Sequence, residues 1–475
     1  MSDDTLCRMP AWELADLIRQ RKVSPVEVTR AVLARIEHLN GGLNAFITLY
    51  PELTLAEAHE CERAVMAGEA LGLLHGVPVS LKDNYWTRGL RTTFGSRLMA
   101  DFVPKEDAPS VNRLKRAGAV NIGKTNVPEF AWRGSTDNPL FGPTRNPWNR
   151  DRTSGGSSGG AAAAVATGMG PLALSGDGAG STRIPASFCG VVGLKPTRGR
   201  VALYPLAAAN ELLLQAGPIA RTVRDAALML SAMAGPDRRD PLCLPIEGED
   251  FARNIDQGVR GLRIAWSPTA GFMPVESETR DIAERAVRTF QELGAIVEDA
   301  SPTIDDPQWI LDLSFGANAA GQHSRRPDAE KKQMDPALVA YAEAIGTTTL
   351  SDLVKAVIGR QTVVRRLSDF FERYDLLLTP TVGLPAFPIG IVGPTEVAGQ
   401  RVGHLGWSAT YIFNWSGQPA MSVPAGWTKD GLPVGLQIVG RRLDDALVIA
   451  AGAAFEAARP WADRWPALGA LAHGN

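Results

Sequence analysis

Two serines set among glycines, Ser157 in Ser154-Gly-Gly-Ser-Ser-Gly-Gly160 and Ser181 in Asp177-Gly-Ala-Gly-Ser-Thr-Arg-Ile-Pro185, stand 24 positions apart. An alanine-rich run, Ala161 to Thr167, and a strand-like Pro171-Leu-Ala-Leu174 separate the clusters, and no charged residue falls between Arg152 and Asp177. Glycine lets consecutive N–H groups turn toward one point, a geometry that stabilises a phosphate or the oxyanion of an acyl-transfer intermediate. Ser181 follows Gly178-Ala179-Gly180, so its hydroxyl and the nearby N–H groups can face one carbonyl, which makes it the candidate nucleophile. Gly/Ser linkers share this composition, but they do not carry a run of helix formers and a strand between their clusters.

The pattern G-G-S-S-G-G followed by D-x-G-G-S-x-R-x-P, met here except that Ala179 replaces one glycine, resembles the signature of the amidase signature family. Gly76-Val-Pro-Val-Ser-Leu-Lys-Asp-Asn84 is similar to that family's lysine strand. Further likenesses lie at Gly123-Lys-Thr-Asn126, Phe141 to Trp148, Phe188 to Thr197, Gly217 to Thr222, Asn414 to Ala420 and Gly431 to Gln437. The likeness covers nearly the whole chain and is weakest from about 236 to 374. It implies a Ser-cisSer-Lys triad, with Ser181 forming an acyl-enzyme, Ser157 relaying the proton and Lys82 acting as base. The oxyanion hole is then expected at Gly178, Ala179 and Gly180. Ser158, Asp177 and Arg183 are expected to support the loops, the last two as an ion pair. A Cβ at position 179 is costly if φ is positive and otherwise narrows the oxyanion loop.

A lysine base makes a physical demand. Its reference pKa of about 10.4 has to fall to about 7.5, a differential of about 4 kcal/mol, through burial or nearby positive charge. The apolar strand before Lys82 offers burial, whereas Asp83 opposes the shift unless its side chain points away.

Around these residues, 475 positions with 45% hydrophobic and 21% charged residues supply an ample core, and a formal charge of −2 gives nucleic acid or anionic membranes no electrostatic support. No signal peptide or bilayer-spanning run is read, and four cysteines without C-x-x-C spacing suggest a reducing cytoplasm. Ser24-Pro-Val-Glu27 is a capping box opening a helix; with helices near 11–21 and 55–67 it forms an N-terminal helical layer. Strands are read at 77–82, 120–122, 262–266, 296–298, 376–378, 421–424 and 435–439, and helices at 110–117, 223–234, 279–293 and 444–458, with 305–374 almost wholly helical. Mixed strands alternating with helices imply one sheet covered on both faces. The family fold, a single large mixed β-sheet sandwiched between helical layers, agrees with this α/β reading. The expectation is one domain over 1–475: a helical layer to about 70, a signature core over about 71–235, a helical substrate-side insertion over about 300–374, and closing strands and helix over about 375–475.

Other motifs compete. Gly118-Ala-Val-Asn-Ile-Gly-Lys-Thr125 fits the P-loop expression, but a helix precedes it and a strand follows, the inverse of a nucleotide site. Gly155-Gly-Ser-Ser-Gly159 fits a nucleophile elbow, which would need a later histidine from His323, His404 or His473. Six dispersed histidines show no metal spacing, so no cofactor or metal is expected. On the substrate side, Ala131 and Trp132 correspond to a turn that lines the family's acyl pocket, and Leu203 to Leu214 and Tyr411 to Trp415 are apolar stretches suited to an aryl or alkyl amide. One family branch comprises the glutaminase component of the tRNA-dependent glutamine amidotransferase. Ile184 and Leu214 depart from that branch, so a free-standing hydrolase of small amides, with carbamates or esters as further substrates, comes first. Family members are often homodimers, which is expected here by resemblance.

Overall fold

A computed structural model describes residues 1–205, 213–305, 307–467 and 469 of the chain. Helices α1 (Asp3–Arg8), α2 (Ala11–Arg19), α3 (Pro25–Leu43) and α4 (Pro51–Ala67) form the N-terminal layer. Ser24 caps α3: its hydroxyl accepts from the Val26 N–H, and Glu27 accepts from the Ser24 N–H, completing the capping box. Helix α2 ends two residues earlier than its sequence pattern suggests, because Arg21 turns to φ +58°.

Eleven strands form one mixed sheet. In chain order they are β1 (Phe46–Thr48), β2 (Pro78–Lys82), β3 (Val120–Thr125), β4 (Leu172–Asp177), β5 (Val192–Lys195), β6 (Gln215–Ala220), β7 (Arg263–Trp266), β8 (Ile296–Asp299), β9 (Leu376–Pro380), β10 (Ala420–Trp427) and β11 (Pro433–Gly440). Their spatial order is β1-β3-β2-β4-β6-β5-β10-β11-β9-β7-β8. Parallel pairing joins β3, β2 and β4 on one side and β9, β7 and β8 on the other, while the centre is antiparallel.

Alternate residues of one strand enter different cores, the signature of a sheet covered on both faces. Leu172 and Leu174 pack into the cluster shared with the N-terminal helices, whereas Ala173 joins the alanines 161 and 162 on the other face. Likewise Leu376, Leu378, Leu436 and Ile438 face the first core, and Leu377 and Val439 the opposite one. Intervening helices supply the layers: α5 (Pro109–Arg116), α6 (Gly159–Ala166), α7 (Arg183–Cys189), α8 (Val223–Met233) and α9 (Ser277–Glu292), with α10 (Gln308–His323), α11 (Pro336–Gly346) and α12 (Leu350–Phe371) in the helical stretch and α13 (Asp445–Ala458) closing the chain.

The sequence pattern passes over β1, β5, β6 and α7. In β6, Gly217 and Pro218 hide a strand, and the proline is tolerated because only Ile219 and Ala220 pair with β5. The P-loop expression falls on β3, preceded by α5, and Lys124 donates to the Tyr85 carbonyl at 2.6 Å, so the lysine is committed to the protein itself.

All eight residues of α6 are buried, which is why they are small. A Cβ at Gly160 would stand 2.4 Å from Asn126 N and 2.6 Å from Ala45 O, both backbone atoms that cannot yield. Gly160→Ala is therefore expected to lower stability by about 3 kcal/mol. Gly41→Ala, in α3 with nothing within 4 Å, is expected to raise it by up to about 1 kcal/mol. Thermal melts of the two variants check both signs.

Candidate active site

Strands β2 and β4 run parallel and adjacent, with Leu81 opposite Leu174, so Lys82 at the end of β2 falls just short of the last residues of β4, Gly176 and Asp177. Between β4 and α7 lies the loop carrying Ser181, and before α6 lies the loop carrying Ser157. The second loop threads a narrow gap. A Cβ at Gly155 would meet Pro185 Cα at 2.8 Å, and one at Gly156 would meet the Ser135 backbone at 2.7 Å. The Gly156–Ser157 peptide is cis.

Lys82 is 1% exposed, and its Nζ donates to Ser157 Oγ at 2.8 Å and to the Gly176 carbonyl at 3.3 Å. Burial pulls its pKa down to about 7, against a smaller opposing pull from Asp177. Asp83 does point away: its Oδ2 accepts from the N–H and hydroxyl of Thr93. Ser157, Ser181 and Lys82 line one cavity of about 380 Å³. The two loops are tied directly, since the Ser158 N–H donates to the Ser181 carbonyl at 3.2 Å and Ser158 Oγ to the Gly176 carbonyl at 3.4 Å.

Asp177 and Arg183 form a bidentate pair at 2.9 Å on both arms, each side chain 0% exposed. The Arg183 guanidinium and further donors hold the Asp177 carboxyl down to about 2 despite burial. Asp177 Oδ1 also accepts from the Gly180 N–H at 2.7 Å. That N–H is thereby spoken for, which corrects its expected place in the oxyanion hole. The N–H groups of Gly178, Ala179 and Ser181 meet no backbone or side-chain acceptor among the described residues. Ala179 is not among the positive-φ residues; its side chain packs with Ile184 and Leu213, so the Cβ is accommodated without strain.

Ala131 and Trp132 line the cavity. Phe130 and Ala131 both hold positive φ, +50° and +59°, so the turn presents its backbone in a constrained form. Pro205 and Leu214, from the apolar stretch 203–214, also line it, while residues 206–212 lie outside the described residues. Tyr411 to Trp415 correct the expectation for them: these residues are buried in the core under the Ser181 loop, where Thr410 Oγ1 donates to the Ala179 carbonyl and Asn414 Nδ2 to Asp177.

Several lining residues escape the sequence reading: Asn84, Trp86, Phe94, Phe130, and from α10 Phe315, Asn318, Ala319, Gln322 and His323. The α10 residues follow a 3-and-4 spacing along one face, a stripe that mixes amides with apolar groups. Asn84 lies inside the quoted lysine motif; its Oδ1 is buried with no protein partner among the described residues.

Neither His323 nor His404 hydrogen-bonds to Ser157 or Ser181, as the nucleophile elbow would require. His404 stacks on Trp132 with ring planes 4° apart, and its Nε2–H donates to the Trp132 carbonyl at 3.2 Å. Desolvation holds His323 and His404 each down to about 4. His473 lies outside the described residues. Among the described residues no group of His, Cys, Asp and Glu is placed to hold a metal, and no helix is long and apolar enough to cross a membrane.

A profile of the family described as Amidase matches residues 27–449. An acylamidase from Rhodococcus erythropolis is 40% identical over 98% of this chain and 99% of its own length. Among solved structures, a bacterial aryl acylamidase of the amidase signature enzymes superposes with a TM-score of 0.92 at 34% identity, covering 98% of this chain and 99% of that one. A 6-aminohexanoate cyclic dimer hydrolase complexed with substrate superposes at 0.88 and 30%, covering 97% and 99%. Matching these proteins in sequence and overall fold over nearly its whole length, the chain is a member of the amidase signature family and an amidohydrolase.

Proposed function

We propose that this amidohydrolase cleaves small, neutral aryl or alkyl amides through an acyl-enzyme on Ser181. One observation carries the proposal: a fully buried Lys82 amine, its pKa drawn down to about 7, touches Ser157 Oγ at 2.8 Å in the cavity that Ser181 also lines. In its neutral form Lys82 takes a proton from Ser157, which takes one from Ser181 as Ser181 Oγ bonds to the substrate carbonyl carbon. The N–H groups of Gly178, Ala179 and Ser181 receive the oxyanion. The proton returns along the same row to the leaving nitrogen, the C–N bond breaks, and water repeats the sequence in reverse to free the acid. Ser158, Asp177 and Arg183 hold the loops.

The walls support an uncharged, largely apolar substrate. Trp86, Phe94, Phe130, Trp132, Phe315 and Leu338 give the cavity broad apolar surfaces, and Lys82 is the single charged-type residue among the described lining residues. Glutamine carries an ammonium and a carboxylate that need charged partners, so these walls favour an uncharged amide over glutamine. The acylamidase and aryl acylamidase relatives support the same class.

Ser181→Ala and Lys82→Met are each expected to cut kcat by about 10³-fold or more. Lys82→Met should leave the melting temperature unchanged or higher, since it removes a buried amine at nearly constant volume. A folded methionine variant with undiminished turnover on an aryl anilide would dismiss the base assignment. Because only the neutral amine accepts a proton, kcat/KM should rise with pH through about 7 and level off above it; a profile flat from about 5 to about 9 refutes this. The purified chain alone should release aniline from aryl anilides far faster than ammonia from glutamine, and the reverse preference would transfer the assignment to the amidotransferase branch.

A further inference from the structure

The last residue of α10 carries a buried side chain that the proton row does not use. His323 is 2% exposed, lines the cavity, and packs against the Phe130 ring at 4.7 Å. Its Nδ1 accepts from Arg326 Nε at 3.2 Å. A guanidinium only donates, so Nδ1 bears no proton and the ring hydrogen sits on Nε2. Arg326 is held in turn by Glu330, Nη1 to Oε2 at 2.6 Å, four residues further on. The row Glu330-Arg326-His323 therefore sets one tautomer, while burial, with the Arg326 charge beside it, holds the ring down to about 4 and keeps a second proton off it. Nε2 meets no protein acceptor among the described residues and is not among the fully buried unpartnered atoms, so its N–H opens on the cavity, where a substrate packed beside Phe130 would cover it and leave it costly to keep unpaired.

We propose that the His323 Nε2–H is a specificity-determining donor for a neutral acceptor oxygen, such as a carbonyl, on the part of the substrate that packs beside Phe130. A carboxylate is the poorer partner, because the imidazole is uncharged and the adjacent guanidinium already faces Glu330. The expected substrates thus carry an acceptor remote from the scissile amide as well as an apolar body. A site built around a buried donor discriminates against analogues that lack the acceptor, since the donor is then left unpaired. Asn318 and Gln322 lie on the same face of α10, but the Gln322 Nε2 donates to Asn318 Oδ1 at 2.8 Å, so those two amides are partly engaged with each other. Arg326 acts here as a positioning residue, working only through the imidazole.

This inference rests on the aryl or alkyl amidase reading, and the test separates the two. Wild type, His323→Phe and His323→Gln are assayed on matched anilides in which a para-acetyl group is exchanged for isopropyl, on the acyl-side ring in one series and the amine-side ring in the other. Comparing variants on the same pair cancels the electronic difference between substituents. In one series the acetyl-to-isopropyl ratio of kcat/KM should fall about tenfold in His323→Phe, mainly through KM, and recover in His323→Gln, whose amide N–H replaces Nε2. The isopropyl substrate of each pair serves as the internal reference for any general loss the substitution causes. His323→Leu serves as the donor-free variant if the phenylalanine protein does not fold. An unchanged ratio in both series, in an active donor-free variant, overturns the subsite while leaving the amidase reading intact. A wild-type enzyme that cleaves none of the four anilides overturns that reading and takes the subsite with it.

Discussion

Every arrangement at the cavity depends on the buried pair of Asp177 and Arg183. All five guanidinium hydrogens are used: Nε and Nη2 on the Asp177 carboxylate, Nη2 also on Asn414 Oδ1, and Nη1 on the Thr410 carbonyl and Gln437 Oε1. The carboxylate takes further bonds from the Gly180 and Thr182 N–H groups and from Asn414. A buried charge pair withstands its desolvation cost only when both partners are this fully satisfied, and removing one partner of such a pair costs about 3–5 kcal/mol. The network pins the end of β4, the Ser181 loop, the first turn of α7, the 410–414 segment and β11 to one another. Ser181 is thereby held by groups far away in the chain.

The same pair decides how the neighbouring amine behaves. Asp177 is an anion near Lys82 and by itself favours the ammonium form, yet desolvation outweighs it. The charge of Asp177 is engaged by Arg183, so burial keeps control. Asp83 is managed similarly: its carboxyl, pushed up to about 6 by burial, is turned toward Thr93 and the buried Lys124, away from Lys82. Two adjacent residues of opposite formal charge, Lys82 and Asp83, thus serve separate networks because a strand end sends successive side chains to opposite sides.

The scaffold and the substrate wall come from different parts of the chain. Strands β2 and β4 and the two glycine-serine loops carry the family-like motifs read in the sequence, whereas α10 and α11 lie in a stretch where no such motif is read. Trp132 bridges the two parts. Its Nε1–H donates to Asp335, the residue that caps α11, while His404 stacks on its ring and Tyr341 of α11 lies against it at 5.6 Å. Asp335 is held from behind, its N–H donating to Glu129, which also accepts from Ser96 Oγ. The helical stretch is therefore docked onto the Phe130–Trp132 turn by polar contacts and ring stacking.

Read alone, the sequence determined the α/β class and the main strands and helices, because period-two and 3.6-residue patterns, caps and glycine spacing are local properties of the chain, while its likeness to the family singled out Lys82, Ser157 and Ser181 as candidates. It also excluded the P-loop, since the order of α5 and β3 is local. The commitment of the Gly180 N–H to Asp177, the absence of Tyr411 to Trp415 from the cavity lining, and the contribution of α10 were decided only in three dimensions. These depend on which distant groups compete for one donor or share one wall, and a one-dimensional pattern does not encode that competition. The lowered pKa of Lys82 belongs to the same class: the strand before it permits burial, but only the assembled loops, sheet and helices around the amine remove its water.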